Sequence, residues 1–317
     1  MRSPENRMRV KVLGSAAGGG FPQWNCSCAN CSALRLGTLK ARPRTQAQVA
    51  VSPDPSKWFL LNASPDLRQQ INATPELIPR SAALGSPVTS ILLTSADVDS
   101  VMGLLHLREF QPLRIFSTVS VRRILTEENR LFRVLARSNP PVIWDVMPLD
   151  RLMPLVPPSS LGKKDGLFYK AVPLLGSFPD YVSDSLRHGL PPEEAVIGLQ
   201  LVHKEKRLFY APALPGIGEE WRRSVDENDL ALLDGTFWKD DELISAKRSR
   251  RTAREMGHIP LWGDRGLLRQ PFRPGKTRHV LIHLNNTNPV LNEDSPEHRT
   301  VREAGWEIAY DGMEFEL

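Results

Sequence analysis

The chain has 317 residues, 41% of them hydrophobic and 24% charged, a composition that excludes wholesale disorder and is ample for one large core. Its formal net charge of +5 is a mild basic excess that suits an anionic small molecule or acidic peptide. No run approaches the ~18 apolar residues of a membrane span, and the start "MRSPENRMRVKVLG" has no uninterrupted apolar segment before a cleavage site, so no membrane span and no secretory leader are expected.

In chain order, "MRVKVLGSAAGG" reads as a strand, with Val10 and Val12 alternating with charges, that runs into a Gly-rich turn. "QAQVAVS" and "KWFLLNASPD" read as two strands around the turn "PDPS", and "PDLRQQINATPEL" as a helix after them. "VTSILLTSAD" is a short, buried, β-branched strand. It leads into a helix over "DSVMGLLHLREF", with Val101, Leu104, Leu105 and Leu107 on its apolar side. "LRIFST" and "VSVRRILTEE" repeat strand then helix. The texture turns Pro-rich and aperiodic from about 150 to 195, which predicts loops or an insertion. "AVIGLQLVHKEKRLFYAPAL" predicts a hairpin. "DLALLDGTFW", "RHVLIHLNN" and "WEIAYDGMEF" predict three more strands, separated by helical "RTAREMG" and "SPEHRTVREAG". Strands and helices mix throughout without a repeat, which favours one α/β domain of two sheets with helices outside.

All three cysteines, Cys26, Cys28 and Cys31, lie in "CSCANC". An odd number of thiols two and three residues apart is a poor basis for stapling a large fold with disulfides. Thiolates at this spacing, after a Gly-rich turn, can grip one soft ion, and a closed zinc site wants four ligands. The fourth must come from far away in sequence or be water. "TSADVDS" lies where a buried strand hands over to a helix, and Asp97 and Asp99 emerge there. Two readings stay open: a cation site, or helix capping by Asp99 or Ser100. His258 in "EMGHIPL", His283 in "VLIHLNNTNP" and Asp234 in "LLDGTFW" add further polar residues at the ends of apolar segments. Each alone reads as a hydrogen-bonded structural residue. Together they suggest one crowded rim, and Asn285, Asn286 and Asn288 after His283 suit a loop that orients a ligand. The basic run "AKRSRRTAR" (Lys247, Arg248, Arg250, Arg251, Arg254) reads as a solvated face, since no nucleic-acid-binding pattern accompanies it.

The stretches "VKVLGSAAGGGFPQWNCSCANC", "ARPRTQAQVAVS", "LNASPDLRQQI", "GLLHLRE", "LFYAPAL", "LLDGTFWKDDEL", "TAREMGHIPL", "IHLNNTNPVLNEDSPE" and "YDGMEFEL" span nearly the whole chain in order. In that combination the sequence resembles the PqqB family, metallo-β-lactamase-fold proteins of pyrroloquinoline quinone (PQQ) biosynthesis. The resemblance implies an α/β, four-layer αβ/βα sandwich: a single domain over 1–317, with a zinc knuckle at about 25–32 and a Pro-rich insertion at about 150–195. It implies a cytoplasmic protein. The proposed family chemistry is iron- and oxygen-dependent hydroxylation of the tyrosine-derived ring of a short peptide precursor. An older family reading is a carrier that helps the product leave the cell.

By the same resemblance, Cys26, Cys28 and Cys31 match the zinc knuckle, His283 the strand-end metal ligand, His258 the motif histidine near the active site, and Asp99 the strand-to-helix aspartate. A related phosphodiesterase branch completes its knuckle with a histidine where this chain has Asn286. The superfamily pattern H-x-H-x-D-H falls on Ser95, Asp97, Asp99 and Ser100, and serine replaces the last histidine that the family usually keeps. Asp99, His258 and His283 would then form a two-histidine, one-carboxylate face for Fe(II), with Asp97 or His106 as substitutes for the missing ligand. Asn62, Arg68, Asn285 and Asn288 would line the mouth, with Arg68 pairing a substrate carboxylate. The implied partners are the peptide-derived PQQ precursor and other enzymes of the pathway. Pro212 falls about where a two-zinc hydrolase would keep a bridging aspartate, and no G-x-S-x-G elbow occurs, so hydrolysis is not expected.

Overall fold

The computed structural model describes residues 7–54, 56–79, 85–109, 111–139, 141–155, 166–216, 218–273 and 275–317. In chain order the strands and α-helices are β1 (Arg9–Gly14), α1 (Ala29–Arg35), β2 (Gln48–Asp54), β3 (Lys57–Leu61), α2 (Leu67–Asn72), β4 (Val88–Leu92), α3 (Val98–Val101), β5 (Leu113–Ser117), α4 (Val119–Arg123), β6 (Val142–Val146), β7 (Leu152–Pro154), β8 (Leu167–Pro173), α5 (Asp184–Arg187), β9 (Ile197–His203), β10 (Lys206–Ala211), α6 (Glu219–Asp226), β11 (Leu230–Asp234), α7 (Glu242–Ser245), β12 (Arg278–Ile282), α8 (Pro296–Glu303), β13 (Glu307–Ile308) and β14 (Glu314–Glu316). Internal contacts divide the chain into two units. One comprises Met1–Leu13, Gln48–Arg207 and Gly312–Leu317; the other Gly14–Ala47 and Leu208–Asp311.

The first unit carries a sheet in the order β14-β1-β2-β3-β4-β5-β6. β2 and β3 form the expected antiparallel hairpin, and β3 to β6 run parallel. Apolar runs such as "KWFLL" and "VTSIL" are buried almost throughout, as parallel strands covered on both faces require. The Pro-rich region, which predicts loops or an insertion, holds β7 and β8, and β8 pairs antiparallel with both β7 and β9. β8 buries alternate positions (Leu167, Tyr169, Ala171), a two-residue period that the surrounding prolines obscure. The part of that region at 156–165 lies outside the described residues.

Two expected helices are broken, each for a definable reason. α2 stops at Asn72 because Pro75 holds Thr74 extended (φ −118°, ψ 97°), and a 3₁₀ turn, Pro75–Leu77, follows. α3 stops after one turn and continues as 3₁₀ over Met102–Arg108. There the Gly103 amide leaves the helical ladder to bond Ala63 O at 2.8 Å, while the Ala63 amide bonds Ser100 O at 2.7 Å. A Cβ on Gly103 would lie 2.2 Å from Ser64 O. Gly103→Ala is therefore expected to destabilise the protein by about 1–3 kcal/mol through forced separation of these backbones, read as a lower denaturant midpoint. An unchanged midpoint would show that the close approach is not needed.

The second unit holds the parallel array β10-β11-β12-β13. β11, "LALLD", is wholly buried. Because these strands run parallel, their carboxyl ends fall on one edge, where layered α/β folds collect polar groups. Asp234 closes β11 opposite Ile282, and His283 is the next residue after β12. Among the described residues, no helix is long and apolar enough to cross a membrane.

Candidate metal centres

At the edge of the parallel array Asp234, His258 and His283 converge, with candidate ligand atoms within 4.8 Å of one another. His258 arrives from the β11–β12 connection. A 3₁₀ turn, Arg254–Met256, ends at left-handed Gly257, and the amides of His258 and Ile259 bond Ala253 O and Leu214 O. His283 itself takes a left-handed backbone (φ 62°), an uncommon conformation for a residue with a Cβ.

The hydrogen bonds assign different roles within this group. Asp234 is fully buried. Its Oδ1 accepts from the Thr236 amide (3.0 Å) and Thr236 Oγ1 (2.6 Å), and its Oδ2 from the Leu214 amide (2.8 Å) and His258 Nδ1 (2.8 Å). A carboxylate has about four acceptor positions, and all four are filled. Asp234 is thus an orienting group rather than a ligand. Thr236 Oγ1 donates its one proton to Asp234, so it accepts from His283 Nδ1 at 2.8 Å, with His258 Nδ1 also 3.1 Å away. Both imidazoles consequently carry their proton on Nδ1, and the unprotonated nitrogen of each is Nε2. Carboxylates and hydroxyls standing behind metal-binding histidines set them in this way. The rings stack, centroids 5.3 Å apart at 21°, with the Phe237 edge against His258. Burial opposes ionisation of Asp234, but the charge that His258 carries when protonated, the His258 hydrogen bond, the charge of a protonated His283 and the Thr236 hydroxyl hold its carboxyl below the ordinary value.

The other expected site residues are placed as follows. Asp99 stands in the first turn of α3, in the first unit. Asp97, not Asp99 or Ser100, holds the N-cap position of α3 and makes no side-chain cap bond. The capping reading of this turn is therefore corrected: Asp97 instead accepts from Ser95 Oγ at 2.7 Å. Asn62 is buried, with its amide bonded to Thr94 at Nδ2 and Oδ1; it fixes the end of β4. Asn288 is buried too. Its amide bonds Gly235 O, Thr236 O and the Val290 amide, and so shapes the loop after β12. Asn285 bonds Thr236 O through its backbone and Thr287 Oγ1 through its side chain. Arg68 is exposed. It lines a cleft of about 380 Å³ with Ile71, Asn72, His106, Leu107 and Arg108.

Thr287 Oγ1 in turn bonds Glu242, whose other oxygen accepts from the Trp238 amide at 2.6 Å. Burial pushes the Glu242 carboxyl up to about 7, against the hydrogen bonds of Thr287 and of the Trp238 and Lys239 amides. Between the ordinary value of 4.5 and about 7 the folded state binds more protons than the unfolded chain. Stability attributable to this group is therefore greatest below 4.5 and is lost as pH rises to about 7. Glu242→Gln is expected to flatten that decline in urea titrations at about pH 5 and about pH 8; an unchanged slope would contradict it.

The three cysteine sulfurs also lie within 4.8 Å of one another. Cys28 caps α1, its sulfur accepting from the Cys31 amide. The loop is tied to the strand-end segment of the same unit: Ala17 N bonds Leu284 O, and Asn30 Nδ2 bonds Asn286 O and Asn288 O. The Asn286 side chain reaches the sulfurs of Cys26, Cys31 and Cys28 at 3.1, 3.3 and 3.6 Å. Burial, with the Cys26 and Cys31 thiols, pushes the Cys28 thiol up to about 11 despite the Cys31 amide. Burial also opposes ionisation of Cys26, but the Cys28 amide, hydrogen bonds from the Cys28 and Cys31 thiols and the Arg248 charge bring it below its ordinary value. Such a cluster ionises fully only with a bound cation, and its donors fit a soft or borderline metal.

A family model described as a beta-lactamase superfamily domain matches residues 57–284. The coenzyme PQQ synthesis protein B of Azoarcus sp. (strain BH72) is 43% identical over 98% of this chain and 100% of its own length. A protein of the same description from Methylorubrum extorquens is 40% identical over 98% and 100%. This chain belongs to the coenzyme PQQ synthesis protein B family. The crystal structure of Zn(2+)-bound PqqB from Methylobacterium extorquens superposes with a TM-score of 0.88 at 39% identity, covering 98% of this chain and 100% of that one. The fold is accordingly the metallo-β-lactamase α/β sandwich that the family resemblance implies. The cysteine knuckle precedes the span matched by the superfamily domain.

Proposed function

We propose that this protein serves PQQ biosynthesis by iron- and oxygen-dependent hydroxylation of the tyrosine-derived ring of a peptide precursor. One observation carries the reading: His258 and His283 stand with candidate ligand atoms within 4.8 Å of each other, and the buried Asp234–Thr236 pair orients both rings through Nδ1. Two neutral imidazoles suit ferrous iron as well as zinc. Iron, when bound, supplies the activation of dioxygen. One oxygen atom enters a ring C–H bond and the other leaves as water, with two electrons from an external reductant such as ascorbate. The chain's own groups hold the histidine protons at Nδ1. Asp99 is carried as a metal ligand on its motif match alone. Arg68, on its cleft, is the proposed partner of a substrate carboxylate. The knuckle is a zinc site in this reading, separate from turnover, and the setting is cytoplasmic, with other pathway enzymes as partners.

The test supplies purified protein with ferrous iron, ascorbate, oxygen and the glutamate–tyrosine crosslinked peptide. Gain of one oxygen by mass spectrometry, abolished in His283→Ala, is the expected result. An unchanged peptide, beside turnover by a relative with histidine at the Ser100 position, would refute the reading. Ser100 also favours a second reading, a carrier that holds the precursor or finished cofactor, because a buried hydroxyl is a poor replacement for imidazole at such a metal. That reading predicts ligand binding unaffected by chelators.

A further inference from the structure

The knuckle supplies three sulfurs, and a closed zinc site takes four donors. We propose that the side-chain oxygen of Asn286 is the fourth ligand, so that the site is Cys₃Asn. The proposal rests on reading the knuckle as a zinc site.

The geometry carries it. In a tetrahedral site with Zn–S near 2.3 Å and Zn–O near 2.0 Å, the oxygen lies ~3.5 Å from each sulfur. The terminal amide of Asn286 stands 3.1, 3.3 and 3.6 Å from the three sulfurs, the apex of a pyramid on that base. Its placed atom is Nδ2, but a half-turn about the terminal torsion exchanges Nδ2 and Oδ1, and the two are assigned by their surroundings. Facing a cation, the oxygen turns inward. The residue is 5% exposed, so water has little access to the apex.

The backbone that presents this amide is fixed independently of any metal. Asn286 O accepts from Asn30 Nδ2 at 3.2 Å and from Cys28 Sγ at 3.7 Å. On either side, Asn285 N bonds Thr236 O and the Asn288 amide bonds Gly235 O and Thr236 O. The fourth donor is thus delivered by the same segment that begins at His283, three residues earlier. A neutral oxygen adds no charge, so three thiolates and one Zn²⁺ leave the site at a net single negative charge, with Arg248 acting on Cys26.

The test is zinc affinity of the full-length protein by chelator competition, with zinc-edge X-ray absorption to count scatterers. In a His283→Ala background, where zinc is confined to the knuckle, the protein is expected to show three sulfurs and one oxygen or nitrogen. Asn286→Ala is expected to lose at least about 10-fold in affinity. Asn286→Asp, which presents only oxygens, is expected to bind zinc as tightly as wild type or tighter. Circular dichroism checks that each variant is folded, and Asn286→Asp carries the test if Asn286→Ala is not. Wild-type affinity in Asn286→Ala would overturn the proposal, as would weaker binding in Asn286→Asp, the result for an amide that only donates to thiolates. A wild-type protein that binds no zinc would instead overturn the zinc reading of the knuckle, and the proposal with it.

Discussion

Asp234→Asn is expected to lower metal affinity at His258 and His283 by about 10- to 100-fold. The carboxylate now accepts four hydrogen bonds. Asparagine offers one oxygen with two acceptor positions and puts an NH₂ where two donors converge. If that group faces His258, the Nδ1–H loses its acceptor, and the ring turns or moves its proton to Nε2, the ligating nitrogen. Stability is expected to fall as well, by about 1–3 kcal/mol, the cost of leaving a buried donor without its acceptor. Because the Asp234 carboxyl is held below its ordinary value of 3.8, its contribution is fully present above about pH 4 and lost on acidification. The substitution therefore shows its whole effect at neutral pH. Calorimetric titration with ferrous or cobaltous ion measures the affinity, and wild-type binding would mean that the acid does not set the histidines.

Cys31→Ala is expected to remove the knuckle metal while leaving metal binding at the histidine pair in place. Cys31 is fully buried, and its loss leaves two sulfurs, too few for a closed zinc site. Metal bound only to the folded state stabilises it by mass action, so the thermal midpoint should fall by about 5–10 °C. Chelation of the wild-type protein should give the same shift, and a chelator-treated Cys31→Ala sample should show little more. A midpoint unchanged by both treatments would show that the knuckle holds no structural metal.

Much of this was legible in the sequence because it is local. "CSCANC" places three sulfurs within six residues, so their convergence needed no tertiary information. Many of the strands announce themselves through short apolar runs, but β6, β7 and β8 do not, and "WEIAYDGMEF", read as one strand, divides into β13 and β14 of different sheets. The knuckle's other half was visible only as a position, Asn286, that departs from a histidine; that its amide stands over all three sulfurs depends on residues some 255–260 positions away.

The role of Asp234 was legible only as a polar strand end. Thr236 went unrecognised, since a threonine after a strand is common. The signal was the spacing Asp-Gly-Thr: a Cβ on Gly235 would lie 3.0 Å from Ile282 O, and the missing side chain lets the chain pack there while Thr236 folds back onto Asp234. The broken helix after Asp97 was illegible for a related reason. Its apolar periodicity is real, but Gly103 is claimed by the Ala63 backbone, a tertiary contact that no local pattern contains.

A metal held by His258 and His283, distinct from the cysteine knuckle, underlies the chemistry proposed for this protein. Elemental analysis of metal per chain is the most direct test, on wild type, Cys31→Ala and His283→Ala protein loaded with both iron and zinc. Zinc lost only in Cys31→Ala and a second metal lost only in His283→Ala is the expected outcome. Zinc at the knuckle with no second metal in any sample would contradict it and leave the carrier reading in its place.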